Sequence, residues 1–247
     1  MPTIRRLDQA LAARGFGSRK EIHALVRAAQ VQINCLPAHD AAQKIDLESD
    51  QVTVQNEAVN LQEYVYIMLH KPPGVVSAAR DPQAPTVLDL LPANLYRRGL
   101  FPAGRLDKDT TGLLLITDDG ALSHALLSPR RHVPKTYLAE LERPVLPADI
   151  KAFAAGIHLP AAEGHPPEDC LPAELEILEN SRARIVLHEG KYHQVKRMFA
   201  ARGNRVLSLH REAMGTLRLD EALVLGACRE LTGEEVEGLR RLKTQSL

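Results

Sequence analysis

Cysteine is scarce in this chain of 247 residues, and Cys35, Cys170 and Cys228 stand too far apart to read as a zinc or redox pair. They are expected as reduced thiols of a cytoplasmic protein. No apolar run approaches the length of a membrane-spanning helix, and the opening residues carry no apolar core followed by a small-residue cleavage site. The sequence also lacks a glycine-rich loop ending in Lys-Ser/Thr, a His-Glu-x-x-His motif and a nucleophile elbow. These absences set aside P-loop nucleotide hydrolysis, metalloprotease chemistry and serine-based hydrolysis. The ten histidines are dispersed, with His188 and His193 the nearest suggestive pair, so no metal site is expected. Internal repeats and low-complexity tracts are missing too.

The net charge is zero, which at first argues against a polyanionic partner. Its distribution argues otherwise. Residues 1–30 carry six basic side chains, Arg5, Arg6, Arg14, Arg19, Lys20 and Arg27, against two acidic ones. Residues 182–218 carry nine against Glu189 and Glu212, and six acids between 220 and 237 restore the balance. A polyanion feels local potential, because screening acts over about 8–10 Å at physiological salt. Solvated faces explain single charge runs; two separated basic segments point to nucleic acid.

Patterning predicts helices over 5–15 and 18–28, the second opened by a capping box of Ser18 and Glu21. Strands at 31–33 and 51–55 complete a unit of about 60 residues, with a turn over 34–37 and a linker near 56–63. The larger remainder, from residue 61, begins with a strand over 64–70 closed by Lys71-Pro-Pro-Gly74. Further strands are expected at 113–117, 135–141, 173–178, 184–188, 206–210 and 216–219. Helices are expected from Thr86 to 91, from 120 to 127, over 147–155 and 191–202, and after Thr232. Irregular mixing of the two types favours an α+β fold, a largely antiparallel sheet flanked by helices.

The most informative stretch is Gly104-Arg-Leu-Asp-Lys-Asp-Thr-Thr-Gly-Leu-Leu114. A loop bearing Arg105, Asp107, Lys108 and Asp109 runs straight into a buried strand, a construction able to hold one carboxylate rigidly in a cleft. Taken alone it also reads as a charged turn. The segment resembles the catalytic loop of pseudouridine synthases, whose signature is Gly-Arg-Leu-Asp followed by Thr-Ser/Thr-Gly-Leu-Leu. Ser128-Pro-Arg-Arg-His-Val-Pro-Lys-Thr-Tyr137 resembles the segment that supplies that family's active-site tyrosine. Glu189-Gly-Lys-Tyr-His-Gln-Val-Lys-Arg-Met-Phe199 and Leu209-His-Arg-Glu-Ala-Met-Gly215 resemble its C-terminal motifs. Residues 1–60 resemble an S4-type (α-L) RNA-binding module, with Cys35 standing where such modules usually place a glycine. The resemblance covers nearly the whole chain and points to the small-subunit (16S) ribosomal RNA branch.

The resemblance implies a cofactor-free isomerase that converts one uridine of 16S ribosomal RNA, the site at position 516, and acts on that RNA or its ribonucleoprotein particle as a monomer. Asp107 takes the part of the reacting carboxylate, either attacking ribose or base or removing the 2′ proton. Lys196 is its expected cationic partner, with Arg197 the alternative. Tyr137 is expected to stack on the target base, Arg105 to fill the gap left by the flipped uridine, and Leu209 to line the pocket. Arg5, Arg6, Arg19, Lys20 and Arg27 are expected to form a phosphate-reading face across two helices. The alternatives are a large-subunit enzyme of the sister branch and a non-catalytic assembly factor.

Overall fold

The computed structural model describes residues 4–47, 49–59, 61, 64–97, 99–162, 164–179 and 181–244. They divide into two units, 1–64 and 65–247. The first runs β1 (Ile4–Arg6), α1 (Leu7–Ala13), α2 (Arg19–Arg27), β2 (Val31–Ile33), β3 (Leu36–Pro37), β4 (Lys44–Asp46), β5 (Val52–Val54) and β6 (Glu57–Val59). Leu7, Leu11, Ile22, Val31 and Ile45 form its core. The expected capping box is present: Ser18 Oγ accepts from Glu21 N, and Glu21 Oε2 accepts from Ser18 N at 2.7 Å. Between β2 and β3 both Asn34 and Cys35 have positive φ, 52° and 67°, the two-residue turn whose twist matches a hairpin. Cys35 takes this conformation without being glycine, and Asn34 steadies the turn through its side-chain bonds to Asp50 and Gln51.

Two expectations for this unit need correcting. Arg5 and Arg6 lie on β1, paired with β4, and not on a helix. Only from Leu7 onward, with Ala10 and Leu11, does the chain have the apolar spacing to bury a helical face. Residues 57–59 of the expected linker are strand β6, paired with β5; residues 60, 62 and 63 lie outside the described ones.

The second unit continues with β7 (Tyr66–Lys71), β8 (Phe101–Pro102), β9 (Thr111–Thr117), α3 (Gly120–Leu127), β10 (Lys135–Leu141) and α4 (Pro147–Ala155). Next come β11 (His158–Leu159), β12 (Glu168–Asp169), β13 (Glu174–Glu179), β14 (Arg182–Leu187) and α5 (Gln194–Ala201). It ends with β15 (Val206–Met214), β16 (Leu217–Arg218), β17 (Cys228–Glu230) and α6 (Gly233–Thr244). Among the described residues nine strands join in one sheet, with the path β13-β14-β10-β15-β9-β7-β17 and with β16 and β8 paired beside it. Every pairing is antiparallel except β9 with β15. The unbroken apolar run Leu113–Ile116 is fully buried, as a strand covered on both faces must be. On one face Ile67, Leu69, Leu114, Ile116 and Tyr137 pack with Phe153 of α4 and Phe199 of α5. α3 begins where Asp119 Oδ1 accepts from Leu122 N at 2.9 Å, and it packs against α6.

The helix expected from Thr86 is not formed. Thr86 N and Oγ1 both donate to Asp89 Oδ2, as a cap would, but the segment closes in i→i+3 turns. Pro85 and Pro92 bracket only six residues, too few to offset helix nucleation. The last long strand, expected to end at 210, runs on to Met214, because Arg211 is buried within it.

Candidate active site

β7 ends in Lys71, whose side chain is wholly buried. Its ammonium donates to the carbonyls of Pro72 (3.0 Å), Lys108 (3.2 Å) and Thr110 (2.8 Å). Gly74 N adds a bond to the Lys108 carbonyl at 2.8 Å. One turn of the loop earlier, Ser77 Oγ both donates to the Leu106 carbonyl and accepts from Leu106 N. The Lys-Pro-Pro-Gly corner therefore serves as a template that fixes residues 106–110. Burial without a carboxylate contact pushes the Lys71 pKa down to about 8, although the more distant charges of Asp109 and Asp107 work the other way.

Above this template Asp107 meets Lys196. Lys196 Nζ lies 3.1 Å from Asp107 Oδ2 and 2.6 Å from Asp109 Oδ1. Burial works to lower the Lys196 pKa, and the bonds from Asp109 and Asp107 outweigh it, so the ammonium is held ionised. For Asp109 burial works upward, and the hydrogen bond and charge of Lys196 bring its pKa below the ordinary value. His193 Nε2 stands 3.6 Å from the other Asp107 oxygen, Oδ1. Both the Asp107 and Lys196 side chains are about a quarter exposed, at 27% and 25%, so the carboxylate is reachable yet largely out of bulk water.

Helix α5 delivers Lys196. It starts at Gln194 and not at 191, because His193 takes a left-handed conformation and the Gln194 side chain accepts from Lys191 N. Its C-terminal stop at Gly203 and Asn204 forms as the sequence predicts, with bonds back to Ala200 and Phe199.

One cross-strand row ties the loop to the expected base-stacking tyrosine. Lys71 pairs Gly112, Gly112 pairs Arg211, and Arg211 pairs Tyr137, one residue on each of β7, β9, β15 and β10. Gly112 has φ of +105°, and a Cβ there would lie 2.3 Å from the Arg211 carbonyl oxygen. Tyr137 thus stands two strands, roughly 10 Å, from the point where the loop enters β9. It is 9% exposed and shares a core with Leu106 and Leu209, itself 7% exposed. Arg211 is buried, donating from Nε to the Leu113 carbonyl, while its Nη2 has no hydrogen-bond partner among the described residues.

The remaining expectations divide. Arg105 is exposed on the loop. Arg197 is not an alternative partner for Asp107. Its guanidinium is committed to Glu168 at 2.8 Å and to the carbonyls of Tyr192 and Pro160, since residues 196 and 197 point from adjacent faces of one helix. Arg19, Lys20 and Arg27 are exposed on α2, whereas Arg6 forms a two-point pair with Asp8 at 2.8 and 3.0 Å. Arg5 and Arg6 line a shallow hollow with Lys44. His188 and His193 do not converge: His188 bonds the His132 carbonyl. Among the described residues no group of three His, Cys, Asp or Glu is arranged to hold a metal. The parts played by Lys71, Asp109 and Arg211 are not legible in the sequence; a charged residue closing a mostly apolar strand is the available signal for Lys71.

Residues 65–201 match the family model described as RNA pseudouridylate synthase. An RNA pseudouridine synthase of Bacillus subtilis is 46% identical over 94% of this chain and 96% of its own length. Ribosomal small subunit pseudouridine synthase A of Yersinia pestis is 43% identical over 94% and 96%, and its Escherichia coli counterpart 42% over 94% and 98%. A crystal structure of a pseudouridylate synthase superposes with a TM-score of 0.66 at 40% identity, covering 95% of this chain and 99% of that one. With the acid, the paired lysine and the signature loop in one place, the chain belongs to the RNA pseudouridylate synthase family and is an enzyme that isomerises uridine in RNA.

Proposed function

We propose that this enzyme converts one uridine of small-subunit ribosomal RNA to pseudouridine, with Asp107 as the reacting carboxylate. The observation that carries the reading is the 3.1 Å approach of Lys196 to Asp107. Isomerisation breaks the N1–C1′ bond, turns the uracil and makes a C5–C1′ bond, with no change in oxidation state. Such a reaction needs a carboxylate kept ionised in a partly dry cleft, and an adjacent ammonium does that. Tyr137 offers an aromatic face for an unstacked pyrimidine, and Arg105 is an exposed side chain on the loop, long enough to enter the helix the uridine vacates. Residues 1–60 act as an S4-type module, with Arg19, Lys20 and Arg27 on one exposed helix to meet phosphates.

The small-subunit assignment rests on relatives of that description that align along nearly the whole chain. Position 516 is the expected target. The test is tritium release from C5-labelled uridine in small- and large-subunit RNA, with mapping of the product. Making the carbon–carbon bond must expel the C5 hydrogen. Release from the small-subunit RNA alone, mapped to that uridine, is the expected result. Release only from large-subunit RNA overturns the substrate, and release from neither overturns the reading.

A further inference from the structure

Each oxygen of Asp107 faces a different nitrogen: Oδ2 the Lys196 ammonium, Oδ1 the His193 imidazole at 3.6 Å. The placement of that imidazole is bought with backbone strain. His193 has φ 47° and ψ 35° at the start of α5, and its side chain makes no capping bond there. A non-glycine residue in this region persists where its surroundings over-determine it. The surroundings do so here. The His193 ring stacks on Tyr192 at 3.9 Å and 18°, and Tyr192 stacks on His165 at 4.2 Å and 14°. The β11–β12 segment that carries His165 is latched to α5 by Arg197, through Glu168 and the Pro160 carbonyl, and to the turn before that helix by Lys191, 3.2 Å from Glu168. Ring and latch together hold the Nε2 edge against the carboxylate.

The charges around it explain what that edge is for. Asp107 and Asp109 share the Lys196 ammonium, which both hold protonated, so Lys196 cannot accept a proton. The Lys71 ammonium donates into three carbonyls on the far side of the loop. Tyr192 and His165 present their faces to the stack. Among the described side chains in contact with Asp107, the imidazole is the one with an acceptor nitrogen, and at 35% exposure it reaches water.

We propose that His193 is the proton outlet of the active site, acting through Asp107. The inference rests on Asp107 being the reacting carboxylate. When the C5–C1′ bond has formed, the C5 proton passes to Asp107 Oδ1 and on to the His193 imidazole at Nε2. The imidazolium then gives a proton to water, and uracil N1 takes one from water. One proton leaves carbon and one arrives at nitrogen, the balance of an isomerisation.

Tritium release from C5-labelled small-subunit RNA tests this with His193→Phe, whose ring still stacks on Tyr192 but carries no proton, with His193→Ala, and with Asp107→Asn alongside. The expected results for His193→Phe are a kcat lowered about 100-fold, a KM within about threefold of native, and loss of the acid limb of the kcat profile. Imidazole in the buffer is expected to restore turnover to His193→Ala, whose cavity admits it, a readout that holds even if the Phe variant folds poorly. Native kcat and acid limb in His193→Phe, or no response of His193→Ala to imidazole, overturns the outlet. An active Asp107→Asn overturns the underlying assignment of the carboxylate instead.

Discussion

Two lysines hold residues 107–110 from opposite sides, and they do it with different partners. Lys71 lies wholly inside and spends its ammonium on three backbone carbonyls. Lys196 stands at the mouth and spends its own on two carboxylates. Dipoles do not repay the desolvation of an ion, so the Lys71 pKa falls to about 8, whereas carboxylates do, and that of Lys196 rises. The contrast separates geometry from electrostatics. Lys71 shapes the loop, and Lys196 sets the charge of what the loop presents.

The largest effect expected from breaking this arrangement is at the carboxylate itself. Asp107→Asn keeps the shape and removes the charge, so turnover should fall by at least about a thousandfold while RNA affinity, measured by filter binding, stays within about threefold. Native-like turnover would show that the reactive oxygen lies elsewhere. Lys196→Met comes next, with a kcat loss of about 100-fold or more. Removing the shared ammonium takes the nearest positive charge away from both Asp107 and His193, so the acid limb of the kcat profile, assigned above to the His193 outlet, should also move to higher pH. An unmoved limb would make Lys196 a structural residue.

Lys71→Met is expected to lower kcat by about 10- to 100-fold through loop misplacement, leaving the pH profile in place. Denaturant melts should show a loss of about 1–3 kcal/mol at pH 7, since three carbonyls lose a donor. The sign of its pH dependence follows from the lowered pKa. Between about 8 and the ordinary 10.5 the unfolded chain holds a proton that the folded chain releases, so stability contributed at Lys71 rises with pH across that window. The cost of burying the charge is present in full below it. Lys135, also buried and lowered to about 8, adds a second increment of the same sign, and Cys170, pushed up to about 11 by burial, works against both, so Lys71→Met should make stability rise less, or fall more, with pH across that window than in the native chain. The smallest effect belongs to the first unit. Arg19→Ala with Lys20→Ala should reduce the slope of log affinity against log salt by about 2 and leave kcat at saturating RNA unchanged. An unaltered slope would remove those two side chains from the RNA face.

Most of the fold is legible in the sequence because it is written locally. Ser18 with Glu21, the apolar run 113–116 and the Gly203-Asn204 stop each specify structure within a few residues. The Asp107–Lys196 pair was legible because two motifs 89 residues apart resemble one family's signature. What stayed hidden depends on distant backbone. Nothing near Lys71 says that its acceptors include carbonyls of residues 108 and 110. Arg211 sits in a charged run that reads as a strand end, yet it is buried and bonded across to β9. Arg197 was a reasonable second choice by spacing, and Glu168, on another hairpin, settles where it points.

The row Lys71–Gly112–Arg211–Tyr137 makes the acid and the aromatic ring parts of a single rigid assembly, fastened where a side chain cannot fit. Because Gly112 lies against the Arg211 backbone with no room for even a methyl group, β9 cannot slide past β15 without carrying loop and ring along together. Adapting such an enzyme to another RNA must therefore proceed around this unit, in the surrounding loops and the first sixty residues, and not through it.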